Sequence, residues 1–408
     1  MATNAKNLAE LLNTDTTVAV GDIADGSVTT AKLAASAVTT AKVADDAVTT
    51  AKLFAENLGR RNVIINGAME IAQRGTSATG KTGSGIYTVD RMALGIDSLG
   101  TWTVTQESLT SGAAYNAGFK KAFRIDCTTA DASPASSDNI FFQYKLEGQD
   151  LKTFRKGTSS AKQFTLQFWV KSNKTGTGQV LLQDKDNNRF VGKTYTISSA
   201  NTWEQKILTF PADTTGAFDN DNNKSLEIEW ALDAGSDFTS GTLPATWTTG
   251  SNTQRSVNDF ALGDSTNNDW AITGIQLEAG DTATEFEHRS FGEELSLCQR
   301  YYHQANFTAG PHYGGGALAL YAFSASEAGG TTTFPVTMRA APTVRIKDAA
   351  GNIGGIHRAA VGNVTSGVAI GWAGNADANA KGISQVYKIN AWATGNMLIG
   401  GYEAVAEL

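Results

Sequence analysis

A chain of 408 residues that is 41% hydrophobic and only 18% charged has the apolar material for at least one large core, and its length suits two to three domains. With 42 glycines and few charges it is neither helix-rich nor disordered in composition; it reads as strands joined by many tight turns. A net charge of −7 without an extended Lys/Arg cluster excludes a nucleic-acid surface built on phosphate contacts.

In chain order, Asn4 to Leu12 comes first, with Leu8, Leu11 and Leu12 at helical spacing. So short an amphipathic helix is not stable alone in water, so residues 1–16 read as an anchor that docks on a partner. Residues 17–58 repeat in tens: TVAVGDIADG, SVTTAKLAAS, AVTTAKVADD, AVTTAKLFAE. Val28, Val38 and Val48 share one phase; Leu33, Val43 and Leu53 share another. Two sizeable apolar side chains per unit give a single chain no interior, so sister chains must supply the missing faces. Three chains around one axis is the economical closure.

From 59 to 289 the texture is β. Phe164, Leu166, Phe168 and Val170 alternate with Thr165, Gln167, Trp169 and Lys171; Leu226, Ile228, Trp230 and Leu232 alternate with Glu227, Glu229 and Ala231. Phe123, Ile125 and Cys127 form a similar inward set. Such strands with Gly/Asn/Asp/Ser turns predict a two-sheet sandwich. Ser290-Phe-Gly-Glu293 is a capping box opening a linker helix within 290–304, with Phe291, Leu295, Cys298 and Tyr302 on its apolar face. Residues 305–408 form a second β unit, with strand-like pieces at 317–323, 332–338, 342–347, 366–372 and 385–393.

Several stretches resemble tail-fibre and tail-spike-like proteins of tailed bacteriophages. They are the decapeptides of 26–53, Asn62-Val-Ile-Ile-Asn-Gly-Ala-Met69 with Gln73-Arg-Gly75, and Tyr87-Thr-Val-Asp-Arg91. Trp203-Glu204 leading to Leu208-Thr-Phe-Pro211, the run 272–302 and Phe334-Pro-Val-Thr-Met-Arg-Ala-Ala-Pro342 belong with them. Met92 departs from the aromatic residue expected there. The resemblance implies an all-β, elongated homotrimeric fibre of the virion tail. Its parts would be the N-terminal helix, the repeat stalk, a jelly-roll β-sandwich similar to carbohydrate-binding modules, the linker helix and a receptor-binding tip.

Few constellations point to catalysis. Gly80-Lys-Thr-Gly-Ser-Gly85 lacks the GK[ST] ending of a phosphate loop and reads as a plain loop. Asp184 with Asp186, and Asp219 with Asp221, place oxygens two apart as a hard cation would want, but neither continues as an EF-hand. Asx turns explain them, and a structural calcium ion is the one cofactor they leave open. Glu285, Glu287, Glu293 and Glu294 could tempt a two-carboxylate glycosidase reading, yet acids at a helix start suit its dipole. Cys127 and Cys298 are too few for a disulfide framework or a zinc site. No run of about 18 apolar residues offers a membrane span, and the first residues lack a secretory signal.

Aromatic rings are the remaining resource, because sugars stack their C–H faces on them. Trp102 and Trp230 fall in phase with core residues. Trp169 falls in the opposite phase and is a platform candidate; Trp247 lies in a loop, exposed or clamping it. Tyr313, Trp372 and Trp392 sit beside loop residues of the tip, where a scaffold tolerates receptor variation. The expected function is non-enzymatic adhesion to a bacterial surface glycan or lipopolysaccharide. The N-terminus would be held by a tail adaptor, nozzle or other virion protein. The alternatives are a polysaccharide-degrading spike and a head-attached capsid fibre.

Overall fold

Strict alternation of apolar and polar side chains builds the larger half of the structure. The computed structural model describes residues 60–306, 318–322, 327–348, 350, 352–358, 362–364, 368–370, 378–388 and 397–408. They belong to one compact unit, Arg60–Leu408. The expected anchor (Leu8, Leu11, Leu12) and the stalk positions Val28, Leu33, Val38, Val43, Val48 and Leu53 lie outside the described residues.

Eleven strands come first: β1 (Ser77–Gly85), β2 (Ala93–Ser108), β3 (Lys121–Thr129), β4 (Asn139–Glu147), β5 (Phe164–Ser172) and β6 (Gly176–Asp184). They continue with β7 (Arg189–Ile197), β8 (Glu204–Phe210), β9 (Lys224–Ala234), β10 (Thr248–Thr249) and β11 (Asp269–Ala279). Every pairing is antiparallel, and the hydrogen-bonded order runs β10-β7-β6-β9-β4-β2-β3-β11-β5-β8. β2 makes this path a sandwich rather than a ribbon. Its first half (93–98) pairs with β4 and its second half (101–108) with β3, and between them Ser98 (φ 54°) and Gly100 (φ 65°) take left-handed conformations. The chain thereby turns from a first sheet, β10-β7-β6-β9-β4-β2, into a second, β2-β3-β11-β5-β8. The rings of Phe168 on β5 and Trp230 on β9 meet at 5.6 Å although their strands are far apart in this order. Phe142 on β4 similarly meets Trp270 on β11 at 5.4 Å. The two sheets therefore pack face to face as a jelly-roll-like β-sandwich.

The predicted inward sets are all there. Phe164, Leu166, Phe168, Val170, Leu226, Ile228, Trp230, Leu232, Phe123 and Ile125 are fully buried in one core, with Cys127 beside them. The 80–85 stretch differs from its expected loop. It is part of β1, an irregular strand that pairs with β2 through three register shifts, so its glycines and polar residues carry no alternation to read.

The stretches 62–69 and 272–302, far apart in sequence, interlock. Asn62 Oδ1 accepts the Ile64 and Leu277 N–H groups at 2.9 and 3.2 Å, and Glu287 accepts the N–H groups of Arg61 and Asn62 at 2.6 and 3.0 Å. Arg289 donates to the carbonyls of Asn62 and Ile64, and Glu294 accepts the Asn66 N–H at 2.5 Å. A Cβ on Gly67 would lie 2.1 Å from the Ile275 carbonyl oxygen, so only glycine fits there.

One-turn helices follow β2 and β9: α1 (Ala113–Asn116) and α2 (Ser236–Thr239). The predicted linker helix is α3 (Phe291–Gln299), capped by the Ser290 side chain accepting the Glu293 N–H. It stops three residues earlier than expected, because Tyr302 opens the next strand. Cys298 and Tyr301 are buried against Ile65 and Ile71, whereas Phe291 is 63% exposed rather than on the buried face.

The remaining strands are β12 (Tyr302–Ala305), β13 (Leu318–Ala322), β14 (Glu327–Thr333), β15 (Thr343–Lys347) and β16 (Ile356–Arg358). β17 (Gly362–Val364), β18 (Val368–Ile370), β19 (Ala378–Asn379), β20 (Gly382–Lys388) and β21 (Met397–Val405) complete the set. β21 plays the part β2 plays in the sandwich. Its later half pairs with β12 and β15, its earlier half with β13 and β16. Leu320, Met338, Ile346, Ile356, Ile383, Leu398 and Tyr402 form a separate small core. Of the expected strand at 332–338 only the start is extended. Phe334 and Met338 enter that core from a turn.

Candidate functional site

The two outer faces of the sandwich are finished differently. On the first sheet, Phe141 and Ala231 lie under Phe238 of α2, with the Phe141 and Phe238 rings 5.6 Å apart. Glu229, fully buried, accepts both Nε and Nη2 of Arg255 at 2.8 and 2.7 Å and Nε2 of Gln143 at 2.8 Å. The loop after β9 thus roofs this face.

The second sheet is open along its edge strand β8, whereas β11 is buried from Trp270 to Glu278 and the outward Thr165 and Gln167 of β5 are covered. Trp169 is half-buried there, with Gln205 and Ile207 of β8 exposed beside it and Ile207 at 53%. A bulge in β11 between Thr273 and Gln276 contains Gly274 at φ 63°. A Cβ on Gly274 would lie 2.6 Å from Phe119 Cζ and 3.0 Å from Trp169 Cδ1, so its bare backbone lets both rings close over the bulge. Phe286 stands edge-on to Phe119 at 4.9 Å. The result is a groove of about 530 Å³ with an apolar floor and a polar rim. Gln167, almost buried, donates to the Thr284 carbonyl at 2.7 Å and accepts Gln205 Nε2 at 3.1 Å. These bonds fix both amides beside the Trp169 ring, while the Glu285 carboxylate stands exposed at the rim. A flat ring with fixed amides next to it can hold a ligand that has both an apolar face and hydroxyl groups.

Trp169 therefore sits where its phase placed it. Trp247 does not serve as a platform. It is 8% exposed, packs on Phe164 at 5.6 Å and donates Nε1–H to the Pro211 carbonyl at 2.8 Å, which clamps its loop to the core. Tyr313, Trp372 and Trp392 lie outside the described residues. Sequence reasoning missed Ile207 and Phe119. Ile207 carried a usable signal, since it shares its phase with Gln205 and Thr209 rather than with Leu208 and Phe210.

The aspartates proposed for a cation are occupied by the protein itself. Lys156, fully buried, puts Nζ 2.5 Å from Asp184, 3.1 Å from Asp213, and 3.2 and 2.6 Å from the carbonyls of Thr215 and Gly216. Asp184 also accepts the N–H groups of Asp186 and Asn187, Asp186 accepts that of Asp219, and Asp221 accepts that of Asn223. The cation in this cage is a side-chain ammonium, and the rest are Asx turns. Among the described residues no three His, Cys, Asp or Glu side chains are grouped to hold a metal. Three of the four acids of the cluster are equally committed: Glu287 and Glu294 hold the 61–66 backbone, and Glu293 pairs with Arg60. Cys298 is buried and its thiol is pushed well above its ordinary range by burial. No helix among the described residues is long and apolar enough to cross a membrane.

No protein-family model matches the chain, and no curated protein sequence matches it. Solved structures align over about half of it. The enzymatically active domain of tailspike protein 4 of bacteriophage CBA120 aligns at 13% identity over 53% of this chain and 21% of its own, with a TM-score of 0.27. The chain thus spans about a fifth of that structure. A family 11 carbohydrate-binding module from Clostridium thermocellum, solved with a β-1,3-1,4-mixed-linked tetrasaccharide, aligns at 10% identity over 51% and 98%, with a TM-score of 0.24. The N-terminal cellulose-binding domain of Cellulomonas fimi β-1,4-glucanase C aligns at 11% identity over 40% and 82%, with a TM-score of 0.22. Superpositions this partial say nothing about ligand or activity.

Proposed function

We propose that the protein is a fibre subunit of a tailed-phage virion that adheres to a bacterial surface glycan without cleaving it, and that the Trp169 groove holds the sugar. The observation that carries this reading is the Trp169 ring, half-buried beside the exposed edge strand β8 and flanked by two hydrogen-bonded amides. The Trp ring would stack on the C–H face of a sugar, and Gln205 and Glu285 would bond its hydroxyls. The decapeptide repeat supports a homotrimer, since its apolar positions have no inner side within one chain. Three grooves per fibre, and several fibres per particle, would turn weak single contacts into avidity.

Glycan binding by the intact protein, measured on host lipopolysaccharide and capsule fragments, tests this. Binding that disappears in Trp169→Ala, with folding retained, is the expected result; undiminished binding would move the site elsewhere. A solution mass near three times the 43.0 kDa chain is expected for the trimer, and a stable monomer would refute the stalk argument. Release of oligosaccharide from host polysaccharide would overturn the non-catalytic part in favour of a degrading spike.

A further inference from the structure

A second concavity, of about 670 Å³, lies between the sandwich and the smaller β unit, and its chemistry is opposite to that of the Trp169 groove. Its walls come from the start of β2, from β4, and from β12, β15 and β21. Five cationic side chains line it: Arg74, Arg91, Lys145, Arg345 and Lys347, against the carboxylates of Glu403 and Glu407. In a chain of net charge −7, this is a local reversal of sign.

The cations are held, not loosely scattered. The Arg74 guanidinium lies 3.5 Å from the Tyr302 ring centroid and that of Arg91 3.5 Å from the Tyr301 centroid, and Glu407 bridges the two at 3.0 and 2.7 Å. Glu403 is shared by Arg345 and Lys347 at 3.1 and 2.9 Å. Lys145 donates to the main-chain oxygen of Leu408 at 3.1 Å and also feels the charges of Glu227 and Glu407. Glu403 and Glu407 thus each serve two cations. Asp90 stands behind Arg74 as a third acid, but burial pushes its carboxyl up to about 7 against the pull of Arg74 and Gln73, which weakens it as a counter-charge near neutrality. Arg345 gives Nη1 to Glu403 and is otherwise 53% exposed at the mouth. Stacked, pre-positioned guanidiniums beside ammonium groups are the donor set that recognises planar or tetrahedral oxyanions.

We propose that this cleft is an oxyanion site, taking the phosphate or carboxylate group of a charged saccharide. The saccharide carrier rests on the adhesion reading; the oxyanion preference does not. The test is calorimetric titration of the intact protein with inorganic phosphate, glucuronate and, as a neutral control, glucose. Phosphate or glucuronate should bind here, and the tighter of the two identifies the natural group. Affinity should fall several-fold as salt is raised from ~0.05 to ~0.3 M. Arg345→Ala and Lys347→Ala, both partly solvent-facing, should each weaken binding about tenfold at an unchanged melting temperature. Arg345→Lys should restore part of it, and Trp169→Ala should leave it unaltered. Absence of binding by both anions, or affinities indifferent to Arg345→Ala and Lys347→Ala, would overturn the proposal. Loss of neutral-glycan binding alone would strike the Trp169 groove and leave this cleft standing.

Discussion

The two outer faces of the sandwich start from the same alternation and end as opposites. On β9 the outward positions are Glu227, Glu229 and Ala231; all are buried, Glu229 and Ala231 under a roof tied by Arg255 and Phe238 and Glu227 against Lys224. On β8 the outward Gln205 and Ile207 are exposed and Trp169 beside them on β5 is half-buried, while Thr165 and Gln167 of the same β5 face are covered. A charged strand is thus fully covered while Ile207 stands exposed, the reverse of what burial by hydrophobicity alone would select. The difference teaches that a covered face can be polar once its partners arrive, and that an exposed apolar edge beside a half-buried ring asks for a ligand.

This contrast can be broken from the roofed side first. Arg255→Ala leaves the fully buried Glu229 carboxyl with Gln143 as its remaining side-chain donor. Denaturant unfolding should show a loss of about 3 kcal/mol, as for other half-deleted buried pairs. On the open side, Trp169→Ala should cost little stability but at least about tenfold in glycan affinity, or ~1.4 kcal/mol by titration. A pH signature separates the faces further. Asp233, at the end of β9, accepts the Gly263 N–H at 2.7 Å, and burial and then the Asp259 charge push its carboxyl up to about 7. The unfolded chain releases that proton near pH 4 while the folded chain keeps it until about 7. Stability should therefore decline as pH rises between those values, and Asp233→Asn should flatten the decline in melting-temperature scans. The smallest effect belongs to Ile207→Ser, which should change stability by less than ~0.5 kcal/mol. A larger loss would mean that something covers the open face.

The sandwich core was legible in the sequence because period-2 alternation reports burial directly. Phe164 to Val170 and Leu226 to Leu232 point as that pattern says, and the phase of Trp169 placed it on the outer face. The roof was not legible. Arg255 meets Glu229 from a loop with no periodicity, and nothing local tells a carboxylate that its partner is 26 residues on. For a related reason Asp184, read as an Asx turn with a calcium ion left open, did not reveal its partner. Its oxygens do surround a cation, but Lys156 arrives from a different loop. Of the two roles left open for Trp247 the structure shows the clamp, while Phe291, expected on the buried helix face, is exposed. Nine helical residues are too few for a dependable apolar stripe, and loop residues carry no phase. The stretches 62–69 and 272–302 carried the resemblance most distinctly, and they are the stretches whose backbones and side chains lock together.

The position of β11 has a consequence for how the protein is made. It is the strand between β3 and β5, so the second sheet stays in two pieces until residues 269–279 have been synthesised. Until then a growing chain holds β2 with β3, and β5 with β8, as separate ribbons whose inner edges are unpaired. The Asn62 segment likewise has no Leu277 to bind. More than two hundred residues must leave the ribosome before the first of them is fastened, which makes the nascent protein dependent on late closure and vulnerable to wrong edge pairing in the interval. Any truncation ending before Ala279 removes part of the strand that joins the two ribbons.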